Sequence, residues 1–189
     1  MTAGYARQSG EVIMTTAAET GFVEMRLSKA VGVAAGEDDL SFVVVLDGVS
    51  QDRHLPIMIG STEALALSAS LDGREFARLM SPQFAAGLLH ALNGRVRQVR
   101  IDRLVPVRDG TAYGSTVEVE GASGVATVDA RPSDALNLAA LVHAPIFVAP
   151  EVLADAESRL EGDSPEAANL RLALESDPPP MERPGPGPA

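Results

Sequence analysis

Residues 124–148 read GVATVDARPSDALNLAALVHAPIFV, and this stretch decides the fold class. Gly124 to Asp129 predicts a strand, since β-branched residues lie between turn-forming neighbours. Ala130 to Asp134 then begins a helix over ALNLAALV, which has almost no polar face, so we expect that helix to be deeply buried. Ile146 to Val148 predicts a last short strand. One segment therefore combines sheet and buried helix.

Outward from this segment, strands and helices follow each other without a regular strand–helix–strand rhythm. Alternating apolar residues and β-branched runs predict five more strands, and helical spacing predicts two helices before residue 95. The predicted strands are 22–33, 41–46, 54–59, 95–107 and 110–119, and the helices are 61–71 and 81–91. This order predicts an α+β fold with a mixed, largely antiparallel sheet packed with helices.

The two early helices carry recognisable start signals. Ser61 or Thr62 is expected to cap the first, with Glu63 in its first turn. Ser81 is expected to cap the second, with Pro82 in its first position. The apolar residues of the second helix are Phe84, Leu88, Ala91 and Leu92.

The predicted domain organisation has four parts. Residues 1–20 lack periodicity and are expected to be flexible, and 21–153 form the folded domain. Residues 154–176 predict an acidic helical extension, since the chain from Glu151 onward carries nine acidic residues and three arginines. Residues 177–189 hold six of the thirteen prolines and are expected to be disordered.

Composition excludes several classes of protein. The chain has no cysteine, which rules out disulfides, thiolate metal sites and cysteine nucleophiles. The first twenty residues show no signal-peptide pattern, and no apolar run reaches the roughly 18–20 residues of a membrane span. We therefore expect a cytoplasmic protein without a membrane partner.

Charge is unevenly distributed. The net charge is −11, which disfavours broad nucleic-acid binding. From Arg74 to Asp109, however, seven arginines stand against three acidic residues. This stretch forms either a basic patch or a set of solvated arginines on strands and loops.

Four segments in a fixed order carry a family resemblance. They are Leu55-Pro56-Ile57-Met58-Ile59-Gly60 with Glu63-Ala64, Gly110-Thr111-Ala112-Tyr113, Val128-Asp129-Ala130-Arg131-Pro132-Ser133-Asp134-Ala135, and Ala144-Pro145-Ile146-Phe147-Val148. Together they resemble the bifunctional nuclease domain family over roughly residues 22–153. The resemblance implies an α+β fold that self-associates, and a nuclease that acts on RNA and DNA.

The chain departs from that family at the start of the second predicted helix. Family members often carry Thr-His-Asp there, and the matching positions here are Ser81, Pro82 and Gln83. If the His or Asp does chemistry, this chain has lost it. If the Thr is only a helix cap, Ser81 replaces it.

The candidate catalytic residues lie around the third helix start. A divalent-metal nuclease needs carboxylates to hold the ion and a cation for the phosphate. Asp129, Asp134 and Glu63 are the predicted ligands of Mg²⁺ or Mn²⁺, and Arg131 offers a fork for phosphate. The substrate-binding candidates are Ser133, Thr111 and Tyr113. No organic cofactor is expected, because no Walker loop or other cofactor motif occurs.

Structural roles compete with this interpretation. Pro132 suits a first helical position, Ser133 or Asp134 suits capping, and Arg131 can pair with Glu63 or Asp129. Two functions therefore follow from the sequence. One is cleavage of RNA or DNA, and the other is a non-catalytic homo-oligomeric binding or regulatory module. In the second case, the extension after Glu151 would pack on a neighbouring subunit or a partner protein.

Overall fold

The computed structural model describes residues 21–34, 40–74, 76–108 and 110–176. These residues form seven strands and five helices. The strands are β1 (Val23–Ala34), β2 (Leu40–Gly48), β3 (His54–Ile59), β4 (Arg95–Val107), β5 (Gly110–Gly121), β6 (Gly124–Ala130) and β7 (Ile146–Val148). The helices are α1 (Ser61–Leu71), α2 (Ser81–Ala91), α3 (Pro132–Val142), α4 (Pro150–Glu161) and α5 (Pro165–Glu175). The predicted flexible start and Pro-rich tail lie outside the described residues.

The seven strands form one sheet in the order β3-β2-β1-β7-β4-β5-β6. The short strand β7 joins two antiparallel halves: Val148 pairs with Val23 of β1, and Ile146 pairs in parallel with Val99 of β4. The other strand pairs are antiparallel. The predicted α+β fold with a mixed, largely antiparallel sheet is confirmed.

The main core lies between the sheet and the helices α1, α3 and α4. Leu67 of α1, Leu136 of α3 and Leu153 of α4 are almost fully buried in it. As predicted, α3 is deeply placed, because small side chains such as Ala135 and Ala139 let it approach the sheet closely. This burial holds the start of α3 in a fixed position.

The acidic extension is part of the same fold. The predicted boundary at residue 153 falls inside α4, and Leu170 and Ala173 of α5 pack on Val43 and Val45 of β2. These valines alternate with Val44 and Leu46, which face the main core, so β2 is buried on both sides. Part of the apolar surface of the extension is therefore covered by its own sheet, and packing of the extension on a neighbouring subunit or a partner protein stays a prediction.

The predicted helix caps are also wrong. The N-cap residues are Gly60 for α1, Met80 for α2 and Arg131 for α3, and none of them makes a side-chain cap hydrogen bond. Ser61 and Ser81 are instead the first helical residues. Each helix begins at the residue after an extended one, so the serines come one position too late to cap.

No helix in the described part of the chain is both long and apolar enough to cross a membrane.

Candidate functional site at the start of α3

Arg131 forms the centre of a charged cluster between two helix starts. Its Nε and Nη2 donate to the two carboxylate oxygens of Asp134 at 2.8 and 3.0 Å. Nη2 also donates to Oε1 of Glu63 at 2.8 Å. These hydrogen bonds, first from Asp134 and then from Glu63, raise the pKa of the Arg131 guanidinium. The cluster brings together three of the four predicted catalytic residues.

The position of Glu63 depends on a glycine. A Cβ on Gly60 would lie 2.3 Å from Oε2 of Glu63, so a larger residue would force the end of the Glu63 side chain to move. Gly60 therefore lets Glu63 fold back over the start of α1. Only 22% of the Glu63 side chain is exposed, against 67% for Arg131.

Asn137 supports this cluster from below, although the sequence did not single it out. It is fully buried, and its Nδ2 donates to the backbone carbonyls of Glu63 at 3.1 Å and Ser133 at 2.9 Å. The bond to Glu63 ties the start of α1 to α3. Its position as an amide side chain within the apolar run ALNLAALV could have indicated this role, because buried polar groups need hydrogen-bond partners.

A cleft of about 440 Å³ opens beside the cluster. Four predicted residues line it: Arg131, Ser133, Thr111 and Tyr113. The end of β3 and the helices α4 and α5 complete its walls, through Ile57, Gly60, Arg159 and Glu166 among others. The three predicted substrate-binding residues therefore share one concave surface with Arg131.

Arg159 is a second arginine of this cleft, which the sequence analysis missed. Its guanidinium lies 4.9 Å from the ring centroid of Tyr113, a cation–π contact. It donates to Oδ2 of Asp155 at 2.6 Å and to the backbone carbonyl of Thr111. The i,i+4 spacing of Asp155 and Arg159 predicts their pair, but not the contact with Tyr113.

The Tyr113 side chain is half-buried, and it also contacts Arg159. Burial raises the pKa of its phenol, the Arg159 charge opposes this, and Asp155 raises it further. The folded structure therefore favours the protonated form of the hydroxyl. One face of the ring is already covered by Arg159, so a nucleic-acid base would have to stack elsewhere on it.

Asp129 lies apart from the other predicted ligands. On β6 it pairs in register with Thr116 of β5, and its carboxylate forms an ion pair with Arg103 of β4. Its neighbours Val128 and Ala130 line the groove under α2. Because successive strand side chains point to opposite faces, Asp129 faces the other side of the sheet.

The predicted three-carboxylate metal site is therefore not formed. Glu63 and Asp134 meet at Arg131, whereas Asp129 contacts Arg103. Within the described ranges, no three His, Asp or Glu side chains group closely enough to hold a metal ion. The residues present do not fit the Mg²⁺ or Mn²⁺ ligand set that the sequence predicted.

Four of the seven arginines in the stretch from Arg74 to Asp109 are paired with carboxylates. Arg95 pairs with Glu120, Arg97 with Glu118 and Arg103 with Asp129. Arg74 likewise pairs with Asp72. The sequence left open a basic patch or solvated arginines on strands and loops, and these four arginines fit the second alternative.

Comparison with known proteins identifies the family of this chain. The model of the bifunctional nuclease domain matches residues 44–161, from β2 to the last residue of α4. The chain belongs to the bifunctional nuclease domain family. The match contains all seven predicted site residues.

Two relatives from Mycobacterium tuberculosis are 32% identical to the chain over 144 residues. They are "Uncharacterized protein Rv1829" of strain H37Rv and "Uncharacterized protein MT1877" of strain CDC 1551. Each alignment covers 76% of this chain and 84% of the relative. The likeness therefore extends over most of the fold.

The departure from the bifunctional nuclease pattern lies next to the Arg131 cluster. Ser81 and Pro82 line the same groove as Asp134, so the start of α2 approaches the start of α3. Oε1 of Gln83 is buried and has no hydrogen-bond partner among the described residues. Pro82, at the position where His often occurs in this family, thus lies beside the candidate site.

Proposed function

We propose that this chain is a phosphodiester hydrolase that acts on RNA or DNA at the Arg131 cluster. The observation that carries the proposal is the exposed guanidinium of Arg131, held by two carboxylates at the mouth of a cleft in a bifunctional nuclease domain. An arginine fork matches two phosphate oxygens in the same geometry in which it matches a carboxylate.

The proposed reaction uses an exchange of partners at Arg131. A substrate phosphate displaces Asp134 and Glu63 from the guanidinium, which then stabilises the charge that develops on the phosphoryl oxygens. The released Glu63 carboxylate accepts a proton from a water molecule. The water oxygen forms a bond to phosphorus as the bond to the leaving oxygen breaks, and solvent protonates that oxygen.

The cleft residues would orient the nucleic acid. Ser133, Thr111 and Tyr113 line the same cleft as Arg131. Because the three predicted carboxylates do not meet, Mg²⁺ and Mn²⁺ enter this proposal as assay variables and not as partners in a step.

The experiment compares wild type, Arg131→Ala and Glu63→Gln in cleavage of labelled single-stranded RNA and DNA. Each is assayed with Mg²⁺, with Mn²⁺ and with EDTA. Loss of a charged group that acts in the transition state should lower the rate by roughly 100-fold or more. Arg95→Ala is the matched control, since Arg95 is 74% exposed and forms a similar two-nitrogen contact with Glu120 away from the cleft.

Arg95→Ala should retain the wild-type rate within about twofold. Full activity in Arg131→Ala, or equal loss in both arginine variants, would contradict the site. A purified wild type that cuts neither substrate under the three conditions would contradict the nuclease proposal itself.

A second candidate function, the non-catalytic binding module, is favoured by the charge of the cleft. Arg131 faces Glu63 and Asp134, and Arg159 faces Asp155 and Glu166, so four carboxylates surround two arginines. An excess of negative charge disfavours a polyanion. Salt weakens nucleic-acid binding steeply, so such binding should be strongest at low salt. If the chain binds no nucleic acid even at low salt, this result supports the binding module.

A further inference from the structure

The cleft beside Arg131 is small and mostly apolar. Its volume of about 440 Å³ is in the lower part of the roughly 300–1,000 Å³ range of small-molecule pockets. Ile57 and Ile59 of β3 line it, together with Leu170 of α5. A cleft of this size and lining admits one flat base with its sugar, and it does not admit a paired segment of nucleic acid.

Helix α5 supplies one wall of this cleft, and it lies outside the residues that match the family model. The match ends at residue 161, whereas α5 begins at Pro165. Leu170 packs on β1 and β2 and also lines the cleft, and Glu166 lines the cleft one helical turn earlier. The extension of this chain therefore shapes the cleft, besides covering the sheet.

Of the two arginines that line the cleft, Arg131 is the one that is open enough to bind a phosphate. Its side chain is 67% exposed, against 26% for Arg159. The Arg159 guanidinium already contacts the carboxylates of Asp155 and Glu166, and it donates to the backbone carbonyl of Thr111. The cleft can therefore neutralise one phosphate of a nucleic-acid strand.

Carboxylates surround this single phosphate position. Glu63 and Asp134 contact Arg131, and Glu166 on the α5 wall has 52% of its side chain exposed. A strand that continued through the cleft would bring a second phosphate near Glu166. Like charges at short distance repel, most strongly where water is partly excluded. The end of a strand avoids this repulsion, because it places one nucleotide in the cleft and leaves the other phosphates outside.

We infer that the cleft takes the terminal nucleotide of an unpaired strand, and that Glu166 excludes internal segments. The base lies against the apolar walls from β3 and α5, and Arg131 binds the phosphate that links this nucleotide to the next. Unpaired bases are free for such contacts, whereas bases of a duplex are stacked and paired. The inference rests on the proposed function for the identity of the occupant. Each hydrolysis consumes one water molecule and releases one mononucleotide and a strand that is one nucleotide shorter.

Linear and circular forms of one single-stranded oligonucleotide test the inference, because the circle has the same sequence and no end. Wild type should shorten the linear form one nucleotide at a time and cut the circle at least about 10-fold more slowly. Glu166→Gln removes the repelling charge, so it should raise the ratio of circular to linear cutting several-fold. Glu157→Gln is the matched control, since Glu157 is 54% exposed, also pairs with an arginine and is not among the described residues that line the cleft. It should keep the wild-type ratio.

A binding measurement separates this inference from the proposed function. Calorimetric titration with adenosine and uridine monophosphates needs no cleavage. Wild type should bind them with a dissociation constant of about 1 mM or less, and Arg131→Ala should lose this binding. Binding without cleavage would support the occupant and contradict the proposed function. Equal cutting of both forms, an unchanged ratio in Glu166→Gln, or no binding of either monophosphate would overturn the inference.

Discussion

Two arginines of one cleft have the same number of carboxylate partners and very different surroundings. Arg131 contacts Glu63 and Asp134 with 67% of its side chain exposed. Arg159 contacts Asp155 and Glu166 with 26% exposed, and it also holds the Tyr113 ring and the Thr111 carbonyl. The first can exchange its partners with solvent or substrate, and the second joins three elements of the fold.

An ion pair by itself therefore does not indicate the role of an arginine. Exposed pairs contribute little to stability, because water and salt screen them. A partly buried arginine that satisfies carbonyl, carboxylate and aromatic partners together contributes more. Arg159 therefore holds the cleft together, whereas a chemical role for Arg131 belongs to the proposed function.

The largest expected effect on stability belongs to Arg159. Arg159→Ala removes the cation–π contact and the bonds that join α4 to β5, and we expect a loss of about 2–4 kcal/mol in the free energy of unfolding. Urea denaturation followed by circular dichroism measures it. Arg95→Ala is the comparison, because 74% of the Arg95 side chain is exposed and its pair with Glu120 lies outside the cleft. A loss below about 1 kcal/mol would break the distinction between the two arginines.

Asn137 should have the next effect, because it is the buried support of the exposed cluster. Asn137→Ala leaves the Glu63 and Ser133 carbonyls without their side-chain donor, which should cost about 1–3 kcal/mol of unfolding free energy. Under the proposed function, it should also lower the cleavage rate of the folded protein. Unchanged stability would mean that water or another donor replaces the amide.

Arg131→Ala should change stability by less than about 1 kcal/mol, since its pairs are exposed. The same urea denaturation as for Arg159→Ala measures this change. If Arg131→Ala destabilised the fold as much as Arg159→Ala, both arginines would be structural, and a loss of cleavage in the variant would no longer report on chemistry.

The smallest effect is a pH dependence at Tyr113. Burial raises the pKa of the Tyr113 phenol above its ordinary value of 10.0, although the charge of Arg159 opposes this increase. The folded state therefore holds the phenol proton more tightly than the unfolded state. This contribution to stability is complete below pH 10 and is lost as the pH rises through the folded pKa. Tyr113→Phe should lack this loss of stability at alkaline pH. Denaturation of wild type and variant at pH 8 and at about pH 10.5 measures the difference. An identical pH dependence in wild type and variant would contradict the assigned burial.

Sequence patterns predicted the elements of this fold closely. Helices α1 and α2 end at the predicted residues, and β3, β4 and β7 begin and end at the predicted residues. Local spacing also brought Arg131 and Asp134 together, because residues three apart share one side of a helix turn. The pairing with Glu63 was one of the structural alternatives, and it is present.

The remaining parts of the site depended on contacts that local spacing does not specify. Asp129 was grouped with Asp134 because five residues separate them, but strand alternation turns it to the other face of the sheet. Arg159 reaches Thr111 across 48 residues of chain, and nothing near either residue indicates that contact. The predicted caps at Ser61 and Ser81 were wrong by one position, which periodicity alone does not distinguish.

The sequence by itself determined the α+β class, the buried character of α3, the exclusion of cysteine chemistry and the membership of the bifunctional nuclease family. These depend on composition, on spacing within a few residues and on motif order. The tertiary structure alone decided that β7 joins the two antiparallel halves, that Arg131 and Arg159 share a cleft, and that α2 exposes large apolar side chains. Each of these depends on how distant segments pack. The burial of a side chain and its charged partners are decided by residues that are near in space and not by those near in sequence.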